Sequence, residues 1–130
     1  FIYYGDEVGL AGGEDPDCRR CMPWNEEEQD LDLLNHFKEL IDIRQNCKPL
    51  RRGDFKTILK DEARGIYIFE RYTEDASALV IINNGLKKET IEIDYKKPTK
   101  LLYGQEDYQY SDGTISISVD STEAAIILAD

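Results

Sequence analysis

Ala78-Leu79-Val80-Ile81-Ile82-Asn83-Asn84-Gly85 and, three residues on, Glu89-Thr90-Ile91-Glu92-Ile93-Asp94-Tyr95 decide the fold class. The first stretch is a continuous apolar run ending in a turn signal, Asn-Gly, of the kind that joins strands in a hairpin. The second alternates apolar and polar residues without a break, the pattern of a strand with one face in a core and one in water. The same period of two extends to both sides. Phe55–Leu59 and Ile66–Tyr72 precede the pair. Lys100–Tyr103 is short, Thr114–Val119 alternates after the turn Ser111-Asp112-Gly113, and Ala124–Leu128 closes the series. Seven short strands separated by turn residues predict an antiparallel β-sandwich over residues 51–130.

Upstream the period is different. Leu33, Leu34, Phe37, Leu40 and Ile41 form one apolar stripe at helical spacing. The helix start is signalled by Asn25 with Glu28, a capping box, or by Asp30 as a second N-cap. Arg44 and Lys48 suit the negative end of the helix dipole, and Pro49 is expected to stop the helix. Phe1–Tyr4 reads as a short buried strand, and Gly5–Pro23 as a long loop marked by Gly9, Gly12, Gly13 and Asp15-Pro16-Asp17. A single strand and one amphipathic helix cannot bury each other's apolar faces. Residues 1–50 therefore read as the tail of an α/β domain, and the whole as a piece of a longer protein.

Composition bounds the function. The chain has 130 residues, 41% of them apolar, with 16 Lys+Arg against 27 Asp+Glu and a net charge of −11. That acidity argues against nucleic acid and against anionic membranes as partners. No apolar run reaches the length of a membrane span, and no signal-peptide pattern opens the sequence. Three cysteines, an odd number, point to a reducing compartment, and a cytoplasmic location is expected. Cys18 and Cys21 form a C-x-x-C. A redox pair would want it to open a helix, but Met22-Pro23 follows. A zinc site would want four ligands, but the only histidine, His36, lies in the helical stretch. Ordinary reduced cysteines are the simplest reading, and no metal or cofactor is expected.

Phe1-Ile2-Tyr3-Tyr4-Gly5-Asp6-Glu7-Val8-Gly9-Leu10 resembles the last barrel strand of the alpha-amylase superfamily of glycoside hydrolases. The run Gly12-Gly13-Glu14-Asp15-Pro16-Asp17-Cys18-Arg19-Arg20-Cys21-Met22-Pro23-Trp24 resembles its neopullulanase, cyclomaltodextrinase and maltogenic amylase branch. Leu33–Arg44 and Pro49–Phe55 look like the eighth barrel helix and its exit, and the remainder is similar to the family's C-terminal β-sandwich in length and strand pattern. The resemblance implies residues 1–50 as the end of a (β/α)8 barrel and residues 51–130 as the sandwich, which would cover apolar barrel surface. It implies a parent that hydrolyses maltodextrins, cyclodextrins or pullulan with retention. The carboxylates such chemistry requires would lie upstream of Phe1, so residues 1–130 contain no catalytic residue and the chain by itself is expected to be inactive.

By the same resemblance, Asp15 and Arg19 match a D-P-x-x-R pair that contacts glucose units of an α-glucan oligosaccharide. Carboxylate and guanidinium both bond sugar hydroxyls, which donate and accept; without a ligand the two would form an ion pair inside the loop. Asp6 and Glu7, adjacent on a strand end, would point to opposite faces and serve as structural hydrogen-bonding groups. Trp24 either stacks on a sugar or, more simply, packs ahead of the helix. Tyr103, Tyr108 and Tyr110 either make a carbohydrate platform or pack, half-buried, at strand ends. Two rival readings are a non-catalytic carbohydrate-binding sandwich, favoured by an exposed aromatic row, and a purely structural module. The apolar Phe1–Tyr4 and the helix stripe are expected to drive self-association of the chain; a clean monomer in sedimentation at high concentration would contradict that.

Overall fold

The computed structural model describes residues 1–104 and 108–130. It divides into two compact units, Phe1–Asp42 and Ile43–Asp130.

The second unit carries eight strands: β1 (Asp54–Asp61), β2 (Ile66–Tyr72), β3 (Ser77–Asn83), β4 (Glu89–Asp94), β5 (Lys100–Tyr103), β6 (Tyr108–Ser111), β7 (Thr114–Val119) and β8 (Glu123–Ala129). Seven match expectation. The eighth, β6, has the sequence Tyr-Gln-Tyr-Ser, too short and too polar to announce itself. The strands form two antiparallel sheets, five-stranded in the order β1-β2-β3-β8-β5 and three-stranded in the order β4-β7-β6. The predicted sandwich is correct.

The core lies between the sheets. Ile66, Ile68, Leu79, Ile81, Ala125 and Ile127 of the larger sheet meet Ile91, Ile93, Ile115, Ile117 and Val119 of the smaller. Each fully buried isoleucine contributes about 1.5–3 kcal/mol of transfer free energy. The difference between the two deciding stretches now has a cause. β3 is central in its sheet, and the short helix α2 (Lys48–Arg52) packs on β2 and β3. Ala78 and Val80, on the face away from the core, are therefore buried as well, and a strand buried on both faces reads as an unbroken apolar run. β4 buries only Ile91 and Ile93 and alternates.

The hairpin expected at Asn83-Asn84-Gly85 is not one. β3 pairs with β2 and β8, and β4 pairs with β7 in the other sheet. The chain crosses between sheets here because Asn83 is a buried side chain that bonds across the corner rather than a residue of a two-residue turn. Its amide nitrogen donates to the carbonyls of Lys87 (2.8 Å) and Val119 (3.0 Å), and its oxygen accepts from the Gly85 N–H (2.9 Å). Gly85 is required: a Cβ there would stand 2.3 Å from the Arg64 carbonyl oxygen, at the β1–β2 turn.

Helix α1 spans Leu31–Asn46. Both predicted start signals are used, one for each of two elements. Asn25 caps a 3₁₀ turn at Glu26–Glu28, and Asp30 accepts from the Leu33 N–H at 2.9 Å to cap α1. Pro49 does not end α1. The helix stops at Asn46, and Pro49 stands in the first turn of α2, where a missing N–H costs nothing. Cys47, buried, lies between the two helices. Phe1–Tyr4 is not a buried strand. It pairs with no strand among the described residues and is exposed, because a strand's backbone groups need a neighbouring strand to bond. No helix among the described residues is long and apolar enough to cross a membrane.

Candidate functional site

The long loop of the first unit is built from local hydrogen bonds. Gly5 and Gly9, at φ 90° and 71°, bracket a 3₁₀ turn at Asp6–Val8. Asp6 Oδ2 accepts from the Tyr3 N–H (3.0 Å), and Glu7 Oε2 from the Gly5 N–H (2.9 Å). Both carboxylates thus do the structural work expected of them, though from a helical turn rather than opposite faces of a strand.

Residues 11–21 are all exposed. The Asp15–Pro16 peptide is cis, and a second 3₁₀ turn covers Asp17–Arg19. Two ion pairs organise this segment. Arg20 binds Asp17 through two nitrogens (3.0 and 2.6 Å), and Asp17 also accepts from the Gly13 N–H (2.8 Å). The Arg20 hydrogen bond, then the Gly13 N–H, hold the Asp17 carboxyl below the usual carboxylate range. Asp17–Arg20 is therefore committed to the loop's own shape.

Asp15 and Arg19 are paired differently. A single contact joins Arg19 Nη2 to Asp15 Oδ2 (2.5 Å), and both side chains remain more than half exposed, at 65% and 60%. The remaining guanidinium donors and the second carboxylate oxygen face solvent. This pair can bond a polyhydroxyl ligand without first losing a buried interaction. The structure brings the two predicted site residues together; the sequence did not reveal that the adjacent Asp17–Arg20 pair locks the loop beneath them.

The other candidates divide. Trp24 is 83% exposed, so it does not pack ahead of the helix in this chain. Residues 24–30 form only a short turn and an extended link, which offer the indole no apolar surface. His36 is exposed on α1. Tyr103 lies in β5 and Tyr108 and Tyr110 in β6, which belong to different sheets. Tyr108 packs against the core, so the three tyrosines form no common platform. Cys18 and Cys21 are exposed and Cys47 is buried, and the described residues contain no cluster of metal-ligating side chains.

Sequence reasoning missed one feature, an aromatic row on the sandwich. Phe55 of β1 stacks on Phe69 of β2 (centroids 5.2 Å, 29°), which meets Tyr67 at 5.6 Å. The Tyr67 hydroxyl lies 3.2 Å from Thr57 Oγ1, and Phe55 is exposed. Pairing β1 with β2 across Arg64-Gly65 would have found it, since Phe55, Thr57, Tyr67 and Phe69 then share one face. Nearby, Arg64 is held between Asp61 (2.8 Å) and Glu89 (3.6 Å), so its charge is already matched.

Comparison with known proteins follows the same division. Residues 53–127, most of the sandwich unit, match the family model described as alpha-amylase C-terminal domain. A cyclomaltodextrinase of Thermoanaerobacter pseudethanolicus is 46% identical over 92 residues, which is 70% of this chain and 16% of that protein. An amylopullulanase of Thermoanaerobacter thermohydrosulfuricus is 36% identical over an aligned 145 residues, covering 99% of this chain and 10% of that protein. Among solved structures, an Anoxybacillus alpha-amylase superposes with a TM-score of 0.85 at 32% identity, over 97% of this chain and 28% of the other. The Nostoc punctiforme debranching enzyme gives 0.84 and 33%, over 97% and 27%. The chain thus spans a small fraction of the relatives it matches. The sequence resemblance, the sandwich and these matches agree, and the chain belongs to the alpha-amylase C-terminal domain family.

Proposed function

We propose that this chain is the C-terminal part of an α-glucan hydrolase acting on maltodextrins, cyclodextrins or pullulan. In this reading residues 1–50 end a (β/α)8 barrel and residues 51–130 are a sandwich that stabilises it. The loop after a barrel strand lies on the catalytic face of such a fold, where Asp15 and Arg19 contact glucose units. The observation that carries this is the exposed, singly bonded Asp15–Arg19 pair on a loop otherwise fixed by its own hydrogen bonds. The names of the relatives support the substrate class: cyclomaltodextrinase, neopullulanase and amylopullulanase, with a Nostoc debranching enzyme studied after soaking in acarbose. The carboxylates that break the glycosidic bond lie, in this reading, outside residues 1–130, and the chain alone has no hydrolase activity. The odd cysteine count supports a cytoplasmic location. The exposure of Phe1, Ile2, Tyr3 and Tyr4 supports self-association when residues 1–130 stand alone.

A second reading, a carbohydrate-binding sandwich, is favoured by the row Phe55–Phe69–Tyr67, since aromatic faces suit the apolar faces of sugars. One experiment separates the two. The 130-residue chain is incubated with maltodextrin, β-cyclodextrin and pullulan, and binding of maltoheptaose is measured for Asp15→Asn and Phe55→Ala. No reducing sugar should appear, and Asp15→Asn, not Phe55→Ala, should weaken binding about ten-fold, the worth of one charge-assisted hydrogen bond. Sugar release would overturn the first reading, and loss of binding in Phe55→Ala alone would favour the second.

A further inference from the structure

We propose that Cys18 and Cys21 form a thiol–disulfide switch that sets the position of Arg19. The two residues between the cysteines are Arg19 and Arg20, so the ring closed by a disulfide runs through the backbone of both. Both thiols are exposed, whereas Cys47 is buried. The segment around them is exposed throughout, so its backbone can change without disturbing a core.

Tyr4 holds the backbone between the two cysteines. Its hydroxyl donates to the carbonyl of Arg20 (3.0 Å), midway in the C-x-x-C.

The chemistry needs an oxidant of the small-molecule disulfide class. One cysteine thiolate attacks a sulfur of RSSR, forming a mixed disulfide and releasing RS⁻. The second thiolate attacks the protein sulfur of that bond, forming Cys18–Cys21 and releasing the second RS⁻. The cysteines lose two electrons, the oxidant gains them, and the two thiol protons end on two RSH. A dithiol reverses the sequence. Arg20 is anchored by its two bonds to Asp17 and by Tyr4 on its carbonyl, while Arg19 has its single side-chain contact to Asp15. Ring closure is therefore taken up at Arg19, whose guanidinium leaves Asp15. That this weakens sugar binding rests on the function proposed above.

The test begins with the 130-residue chain treated with glutathione disulfide and mapped by peptide mass, before and after dithiothreitol. The expected product is an intramolecular Cys18–Cys21 disulfide, reversible, with Cys47 unmodified until the chain is unfolded. Glutathione persisting on either cysteine, or no loss of thiol, overturns the switch. The Arg19 Nε–H resonance of the same samples should shift on oxidation in the native sequence and stay fixed in Cys21→Ser. A disulfide that leaves this resonance unmoved also overturns it. In the enzyme that carries this segment, oxidation should raise KM for maltotetraose about ten-fold with kcat little changed, and Cys21→Ser should abolish the response. An Arg19 signal that moves while KM does not would leave the switch standing and count against the sugar-binding role of Asp15 and Arg19.

Discussion

Asn83→Ala is expected to lower the unfolding free energy of the chain by about 3 kcal/mol, read as a fall in the urea midpoint at constant slope. Asn83 is fully buried. Its amide donates to two carbonyls, on Lys87 and Val119, and accepts from Gly85. Alanine leaves all three backbone groups without these partners where the chain crosses from one sheet to the other. Each orphaned buried group costs about 1–3 kcal/mol, and partial relaxation toward solvent at the corner keeps the sum near the lower end. Asn83→Asp should be at least as harmful: the Gly85 contact survives, but an oxygen then faces the two carbonyl oxygens. A loss below about 1 kcal/mol in both variants would show that water replaces the side chain and that the corner does not depend on it.

Tyr95→Phe should cost about 2 kcal/mol near neutral pH. The Tyr95 hydroxyl lies 3.0 Å from Glu70 Oε1 and 2.8 Å from Ser77 Oγ. Glu70 and Ser77 are both buried in the larger sheet, and Tyr95 follows β4 of the smaller one. The variant removes the donor and leaves a buried carboxylate short of a partner. Adding Glu70→Leu to Tyr95→Phe should restore part of the loss, because replacing both polar partners is cheaper than orphaning one. A double variant weaker than either single change would contradict this.

The pair also makes a pH prediction. Burial, followed by the Glu70 contribution, pushes the Tyr95 hydroxyl well above its ordinary value of 10.0, while Ser77 acts in the opposite sense. The folded state therefore keeps this proton after the unfolded state has lost it. Above about pH 10 the unfolded chain binds fewer protons than the native one, and stability falls as pH rises. The contribution is complete below pH 10 and drains away above it. The stability gap between the native sequence and Tyr95→Phe should accordingly narrow on the alkaline side; a constant gap would mean that the hydroxyl is not shielded.

Much of this fold was legible because burial writes itself into spacing. β4 and β7 alternate since each has one wet face, and β3 is apolar throughout since helix α2 covers its outer side. The stripe on α1 and the cap Asp30 follow equally local rules. The family, too, was visible in the run Gly12–Trp24, whose turn residues and charges are fixed by a loop that bonds mainly to itself.

Local chemistry could not decide what depends on residues distant in sequence. Asn-Gly after β3 looks like a hairpin. Only the carbonyl of Val119, 36 residues away, makes Asn83 a corner between sheets. The four residues of β6 became a strand because β7 supplied an edge, whereas Phe1–Tyr4, more apolar, found none among the described residues. The sequence by itself determined which residues are apolar, at what period, and where the chain must turn, because those are properties of a few neighbouring side chains. The tertiary structure decided which strands pair and how the charges are spent on each other, Asp17 and Arg20 through two nitrogens and Asp15 and Arg19 through one exposed contact. Hydrogen bonds and ion pairs are consumed one partner at a time, and only the folded chain shows which partner arrives.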